Sequence, residues 1–214
     1  QVAVTTSVIN PREDFEINAG GTINILEAMR QRNPHALLIY SSTNKVYGGL
    51  EHLKVKEKLK RYECLEQPFG VDETTPLDFH SPYGCSKGSA DQYVRDYHRL
   101  YGLKTIVFRQ SCIYGSHQFG VEDQGWLAWF LIATLFHIPL TIYGNGKQVR
   151  DLLSVDDLIQ AYEKAIDHIK ITSGQIYNIG GGRDNAISIW LECAPLIKSI
   201  AGSIPKITYK NERP

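Results

Sequence analysis

Tyr83 and Lys87 lie four residues apart in SPYGCSKGSADQYVRDYHRLYG, a stretch that has the pattern of a helix. On a helix, positions i and i+4 share one face and lie one turn apart, so a phenol is expected beside an ammonium. A free tyrosine has a pKa of about 10, and a cation within roughly 4–6 Å favours the phenolate. The spacing therefore predicts a lowered pKa for Tyr83 and a base that can take a proton from an alcohol. Alone, the same spacing also fits an ordinary pair on a helix surface.

The elements around this pair predict an α/β fold. Residues 36–42, ALLIYSS, form a continuous apolar run that is typical of a strand buried on both faces in a parallel sheet. A helical period over 12–32 precedes this run, and a second buried strand, KTIVFRQS, is predicted at 104–111. Strand, helix and strand in alternation indicate βαβ units.

Other segments give less regular patterns. Residues 1–9 are rich in β-branched side chains and predict the end of a strand. The long polar stretch 43–80 is expected to be a lid or binding loop or else a solvated insertion, with a short surface helix at 52–63. Two short strands are predicted within 139–155, and Ser188 is predicted to cap a last helix.

Composition excludes several classes of protein. The 214 residues contain 23 Lys and Arg and 23 Asp and Glu, and this zero net charge argues against nucleic acid as a partner. The four cysteines are scattered, so neither a metal site nor a disulfide framework is predicted, and a reducing, cytoplasmic location is expected. No apolar run approaches the roughly 18 residues of a membrane span, so no membrane partner is expected.

A hydroxyl-rich segment, SSTNKVYG at 41–48, follows the strand at 36–42. In open α/β sheets, ligands bind beyond the carboxyl ends of the strands, which is where this segment is expected. Together with the tyrosine–lysine helix and the later Tyr114-Gly115, it resembles the extended short-chain dehydrogenase/reductase family. Most of that family are nucleotide-sugar epimerases and dehydratases that use NAD.

The resemblance implies roles for individual residues. The implied catalytic residues are Thr43, Tyr83 and Lys87. The implied contacts to NAD come from Asn18, Ser41, Ser42, Tyr83 and Lys87. The implied contacts to a nucleotide-diphosphate sugar come from Thr43, Asn44, Cys112, Gln124, Arg150 and Arg213. The implied fold is a partial Rossmann-type doubly wound parallel sheet over 1–112, followed by a smaller α/β substrate-binding region over 113–214, of which 139–170 partly returns to the sheet.

Departures from the family pattern narrow the activity. Dehydratases of the family carry Asp-Glu directly after the triad threonine, and here those positions are Asn44 and Lys45, so a dehydratase is rejected. Many 4-epimerases have Arg-x-x-Asn before the late Tyr-Gly, and here Arg109 is followed at that spacing by Cys112. The motifs resemble most the branch that inverts C2 of a CDP-linked sugar, in which Gln124 would help to shape the sugar pocket.

Alternatives remain open. A UDP-sugar 4-epimerase is the second enzyme hypothesis, and a truncated non-catalytic binding module is the hypothesis from another class. The chain starts at Gln1 and lacks the family's G-x-x-G-x-x-G motif, which cradles the pyrophosphate, so it is expected to be a fragment that does not hold NAD alone. Helices 12–32 and 81–101 are the expected contacts of a homodimer.

Overall fold

The structure, a computed structural model, describes residues 3–211. The α-helices, in chain order, are α1 (Val4–Ile9), α2 (Pro11–Phe15), α3 (Gly21–Arg32), α4 (Ser81–Tyr101), α5 (Trp126–Leu135), α6 (Val155–Asp167), α7 (Ile169–Thr172) and α8 (Cys193–Ala201). The strands are β1 (Leu37–Thr43), β2 (Val55–Glu57), β3 (Tyr62–Cys64), β4 (Lys104–Gln110), β5 (Cys112–Tyr114), β6 (Leu140–Tyr143), β7 (Val149–Ser154), β8 (Ile176–Ile179), β9 (Ala186–Ser188) and β10 (Ile207–Lys210). Within the described range, no helix combines the length and the apolar composition needed to cross a membrane.

The chain divides into two compact units. Unit 1 contains the chain up to Leu50 together with Val71–Gln110 and Asp156–Ile179. Unit 2 contains Glu51–Gly70, Ser111–Val155 and the chain from Gly180 onward. Residues 51–70, predicted within the N-terminal region, belong to unit 2 in the structure. Unit 1 includes Asp156–Ile179, which overlaps the segment 139–170 that was expected to return in part to the sheet.

Unit 1 is built on a parallel sheet. Within the described residues, three strands form it in the order β1-β4-β8. Leu37 lies opposite Lys104 and Thr43 lies opposite Gln110, so β1 and β4 pair along their full length and end together. The predicted parallel strands at 36–42 and 104–111 are therefore confirmed.

Both faces of this sheet are covered by helices. On one face, Val107 of β4 packs against Leu26 of α3 and Val94 of α4. On the other face, Ile106 and Phe108 pack against Ala165 of α6. Alternate residues of one strand thus enter two hydrophobic cores, which explains why the strand reads as a continuous apolar run. The predicted α/β class is confirmed.

The segment before β1 is helical from Val4 onward. The predicted strand at 1–9 is therefore wrong for residues 4–9, which form α1. Ser7 of α1 is fully buried, and its hydroxyl accepts the backbone N–H of Tyr83 at 3.1 Å, so tertiary contacts override the β propensity of this stretch. The helix predicted over 12–32 is confirmed, but a π-helix, Glu16–Gly20, joins α2 to α3.

In unit 2, residues 51–70 contain an antiparallel hairpin. The predicted surface helix at 52–63 is wrong, because β2 and β3 pair here with Val55 opposite Cys64. A further backbone bond joins the hairpin to a distant segment, from the N–H of Tyr62 to the carbonyl of Lys147 at 3.1 Å. Such long-range pairing has no signature in the local sequence, which is why the mixed charges suggested a helix.

The rest of unit 2 surrounds its own core, in which Phe130, Leu140 and Trp190 are buried. The short strands predicted within 139–155 are confirmed as β6 and β7, but β6 pairs in parallel with β10, and β7 pairs with β5 and β9. The last helix begins at Cys193 rather than near Ser188. The Ser188 hydroxyl accepts the N–H of Glu192 at 2.9 Å, one residue before that helix.

Candidate active site

Thr43 and Tyr83 meet at the carboxyl end of β1. Thr43 is the last residue of the strand and Tyr83 lies in the first turn of α4, close enough that the Thr43 side chain lowers the pKa of the phenol. The Thr43 Oγ1 also accepts the N–H of Lys45 at 3.2 Å, which begins the short 3₁₀-helix Asn44–Tyr47. Thr43 therefore both caps a turn and contacts the predicted base.

Lys87 lies one turn further along α4 than Tyr83. Its Nζ donates a hydrogen bond to the backbone carbonyl of Ser41 at 2.6 Å. The same ammonium lies 4.3 Å from the centroid of the Tyr40 ring, a cation–π contact. The end of β1 thus holds the ammonium through two consecutive residues.

Burial has the largest effect on the pKa values of Tyr83 and Lys87. It raises the pKa of Tyr83 above 10, while the hydrogen bond with Thr43 lowers this pKa and the charge of Asp14 raises it further. Burial lowers the pKa of Lys87 to about 8, against the charges of Asp91 and Asp14. The predicted lowering of the Tyr83 pKa by Lys87 is therefore wrong for this structure, in which the ammonium is directed at the Ser41 carbonyl and the Tyr40 ring.

A buried ion pair includes Asp91, which lies one turn further along α4 than Lys87. Arg109 Nε lies 2.9 Å from Asp91 Oδ2, and Arg109 Nη2 lies 2.9 Å from Asp91 Oδ1, with side chains 2% and 0% exposed. Ser42 Oγ donates to Asp91 Oδ2 at 2.7 Å, and Arg109 Nη1 donates to the Tyr47 hydroxyl at 2.8 Å. These bonds connect α4, β1, β4 and the 3₁₀-helix immediately behind Thr43.

The neighbours of Thr43 in the sequence point in different directions. Ser41 Oγ lies 2.7 Å from the hydroxyl of Tyr162, whereas Ser42 is buried on its bond to Asp91. The side chain of Asn44 is exposed. The roles predicted for Ser41 and Ser42 toward NAD, and for Asn44 toward the substrate, stay predictions.

Asn18 lies in the π-helix and is buried. Its Nδ2 lies 3.2 Å from Asp14 Oδ1 and 3.1 Å from Ser86 Oγ on α4. The structure thus connects this asparagine to the helix that carries Tyr83 and Lys87. Its predicted contact with NAD stays a prediction.

The donors at the end of β1 suit a ribose. An ammonium has three N–H groups, and among the described residues the hydrogen bond seen for the Lys87 ammonium is the one to Ser41, so two donors can reach neighbouring ribose hydroxyls. The hydroxyl of Ser41 is on the exposed side of the strand end. The residues present at this strand end therefore fit a ribose of NAD.

Three of the predicted substrate residues, Arg150, Cys112 and Gln124, lie in the described part of unit 2. Arg150 of β7 is exposed and lines a cavity of about 370 Å³, together with Trp126, Tyr143 and Gln148. Cys112 starts β5. Gln124 closes a tight turn through two backbone hydrogen bonds with Val121, at 2.9 and 3.0 Å.

Arg213 lies outside the described residues. The substrate contacts predicted for Cys112, Gln124, Arg150 and Arg213 stay predictions.

The sequence did not predict the role of the residues whose hydrogen bonds and ion pair hold α4 in place. These residues are Ser7, Asp14, Ser86, Asp91 and Arg109. Asp91 had a readable signal, because it follows Lys87 by four residues and lies beside Ala90 and Val94 on the buried side of the helix. An acidic residue on an apolar stripe requires a partner. Asp14 and Ser86 had no comparable signal, since they are brought together only by the tertiary fold.

Comparison with known proteins identifies the family. Residues 1–180 match the "NAD dependent epimerase/dehydratase family". The chain belongs to this family. It is 54% identical over 194 residues to the CDP-paratose 2-epimerase of Salmonella typhi, an alignment that covers 88% of this chain and 57% of that protein.

Solved structures agree with this assignment. UDP-glucose 4-epimerase of Thermotoga maritima, determined with UDP-glucose, is 30% identical with a TM-score of 0.81, and the match covers 100% of this chain and 62% of that one. UDP-glucose 4-epimerase of Thermus thermophilus, determined with NAD, is 29% identical with a TM-score of 0.77, covering 100% and 63%. The chain thus spans less than two thirds of the length of these relatives. The Rossmann-type fold and the family predicted from the motifs are confirmed.

The buried ion pair should dominate the stability of unit 1. Asp91→Asn leaves the Arg109 charge buried without its carboxylate, and we expect the free energy of unfolding to fall by about 3–5 kcal/mol. Denaturant unfolding of the purified protein measures this change. Glu16→Gln is the control, because it breaks the exposed pair with Arg12 and should cost less than about 0.5 kcal/mol. Equal losses in the two variants would contradict the prediction.

Proposed function

We propose that this chain carries the catalytic residues and part of the substrate-binding region of an NAD-dependent nucleotide-sugar epimerase, acting at C2 of a CDP-linked sugar such as CDP-paratose. The observation that carries the proposal is the placement of Thr43, at the end of β1, beside Tyr83, with Lys87 one turn along the same helix as Tyr83. The 54% identity to a CDP-paratose 2-epimerase supports the choice of sugar and carbon.

In the proposed reaction, Tyr83 takes the proton of the sugar hydroxyl and later returns it. Thr43 holds this hydroxyl beside the phenol through the same oxygen that contacts Tyr83. Lys87 orients the ribose of the cofactor through its ammonium donors. NAD, when bound, supplies the acceptor and donor for the hydrogen at the sugar carbon. Inversion requires the keto sugar to present its other face before the hydrogen returns.

The substrate diphosphate is assigned to the unit 2 cavity. Arg150 contributes a guanidinium, whose planar set of donors suits phosphate oxygens. The Trp126 and Tyr143 side chains line the same cavity and can pack on a flat ring system. A UDP-sugar 4-epimerase is the second candidate, because the UDP-glucose 4-epimerase of Thermotoga maritima shares the fold at 30% identity.

We also propose a cytoplasmic location for the protein. The four cysteines of the chain, all within the described range, are free thiols, which supports a reducing and therefore cytoplasmic location.

We propose a homodimer contacting through the region 12–32 and through α4, because Ile17 and Ile25 are 49% and 52% exposed and Leu100 of α4 is 67% exposed. Light scattering of the full-length protein in solution should give the mass of two chains. A monomer mass at micromolar concentration would contradict this.

Removal of the phenol should remove the activity. Tyr83→Phe is expected to lower kcat by about 10²–10⁴, because general base catalysis contributes on this order, and to leave the unfolding transition unchanged. The full-length protein is incubated with CDP-paratose in deuterated water and C2 is followed by NMR, where inversion without deuterium incorporation is expected. Tyr93→Phe, on an exposed tyrosine of the same helix, is the matched control. If a UDP-hexose inverts at C4 while C2 of CDP-paratose stays unchanged, the second candidate replaces the first.

The cavity assignment predicts a binding effect. Arg150→Lys keeps the charge but loses the bidentate geometry, so KM for the nucleotide sugar should rise roughly tenfold with kcat nearly unchanged. Steady-state kinetics on the full-length protein measure both constants. Arg99→Lys, on an exposed arginine of α4, is the control for the substitution itself. An unchanged KM would place the diphosphate elsewhere.

A further inference from the structure

Asp14 is a buried carboxylate beside the helix that carries Tyr83 and Lys87. Asp14 is only 1% exposed, although its two neighbours in the sequence are exposed. The hydroxyl of Ser86 donates to Asp14 Oδ2, and Asn18 Nδ2 lies 3.2 Å from Asp14 Oδ1. Among the contacts of the described residues, its hydrogen-bond partners are therefore neutral groups rather than a cation.

Through Ser86, the hydrogen bonds of Asp14 reach the part of α4 that lies between Tyr83 and Lys87. Ser86 directly precedes Lys87, and its Oγ also lies 3.2 Å from the carbonyl of Tyr83. The N–H of Tyr83 donates to Ser7 Oγ at 3.1 Å, which satisfies a donor that a helix start would otherwise leave open. The segment before β1 thus contacts the start of α4 at two points, the N–H of Tyr83 through Ser7 and the hydroxyl of Ser86 through Asp14.

The position of Asp14 also has an electrostatic effect. The groups that act on Lys87 are Asp91 from its own helix, Asp14 from α2, and the Ser41 carbonyl and Tyr40 ring from β1. The two carboxylates raise the pKa of Lys87 against burial, which lowers it.

On Tyr83, a hydrogen bond with Thr43 lowers the pKa and the charge of Asp14 raises it. Asp91 is neutralised by Arg109 at 2.9 Å, whereas the neighbours of Asp14 are a serine and an asparagine. Asp14 is therefore the less compensated of the two negative charges.

We propose that Asp14 is a positioning residue for the Tyr83–Lys87 pair: its buried carboxylate, bound by the Ser86 hydroxyl, fixes the start of α4 and places a negative charge next to the turn that carries Lys87. The inference rests on the proposed function, in which Tyr83 is the base and Lys87 must be charged. It assigns to the segment before β1 a role in setting the working pH range of the site.

Asp14→Asn tests the charge with little change in shape. Without the carboxylate, the ammonium is less favourable and the phenolate is more favourable, so both pKa values should fall. NMR titration of the Lys87 side chain in the full-length protein, assigned through Lys87→Arg, should show a midpoint at lower pH than in the wild type. In the pH profile of kcat/KM, both the acidic and the basic limb should move to lower pH.

Two controls separate charge from structure. Glu16→Gln removes one exposed negative charge from the adjacent π-helix and should leave the Lys87 titration and both limbs in place. Ser86→Ala removes the hydrogen bond but keeps the Asp14 charge, so it should lower the rate without moving the Lys87 midpoint downward. If Asp14→Asn fails to fold, Asp14→Leu combined with Ser86→Ala removes both partners and should give the same downward shift.

The outcomes distinguish a failure of the proposed function from a failure of the positioning role of Asp14. A wild-type protein that leaves every tested nucleotide sugar unchanged would overturn the proposed function, while the Lys87 titration would still report on Asp14. An active wild-type protein whose Lys87 midpoint and limbs are unmoved by Asp14→Asn would overturn the positioning role and leave the proposed function intact. A fall in rate with fixed limbs would show that Asp14 is structural only.

Discussion

Unit 1 depends on the ion pair between Asp91 and Arg109, because two opposite charges are enclosed there almost completely. Desolvation of each charge is costly, so the pair is favourable only with good geometry and further hydrogen bonds. Both conditions are met, through the bidentate contact and through bonds to Ser42 and Tyr47. The arrangement fixes α4 against the ends of β1 and β4, and these are the elements that position Thr43 and Lys87.

The sequence predicted those parts of the fold whose signal is local. Buried parallel strands read as apolar runs, and α4 reads as a helix from Ser81 to Tyr101, so the sheet and the tyrosine–lysine helix were predictable. The N-terminal helix and the 55–64 hairpin were not, because each is determined by contacts with distant residues such as Tyr83 and Lys147. Local propensity pointed the wrong way in both segments.

The candidate site was predictable in its residue types and less so in its electrostatics. Thr43 and Tyr83 were predicted to lie together, and they do. The direction of the Tyr83 pKa was not predictable from spacing, because i and i+4 positions specify proximity but neither burial nor where the lysine points. Lys87 turns toward a strand carbonyl, and desolvation then outweighs the attraction expected between the two side chains. The pKa values of such a pair can be predicted only when all the buried charges around it are known.

The division of the chain between the two units has a consequence for folding. Unit 1 is assembled from three separate stretches, and its third strand, Ile176–Ile179, arrives only after most of unit 2 has been synthesised. On a ribosome, β1 and β4 can pair early, but β4 keeps an open edge until more than sixty further residues have emerged. Open edges of parallel sheets are prone to intermolecular pairing. During synthesis of the segment between Gln110 and Ile176, the free edge is β4, a seven-residue strand that is more deeply buried in the finished sheet than the four-residue β8 that later pairs with it. A chaperone that acts at this stage is expected to improve the yield.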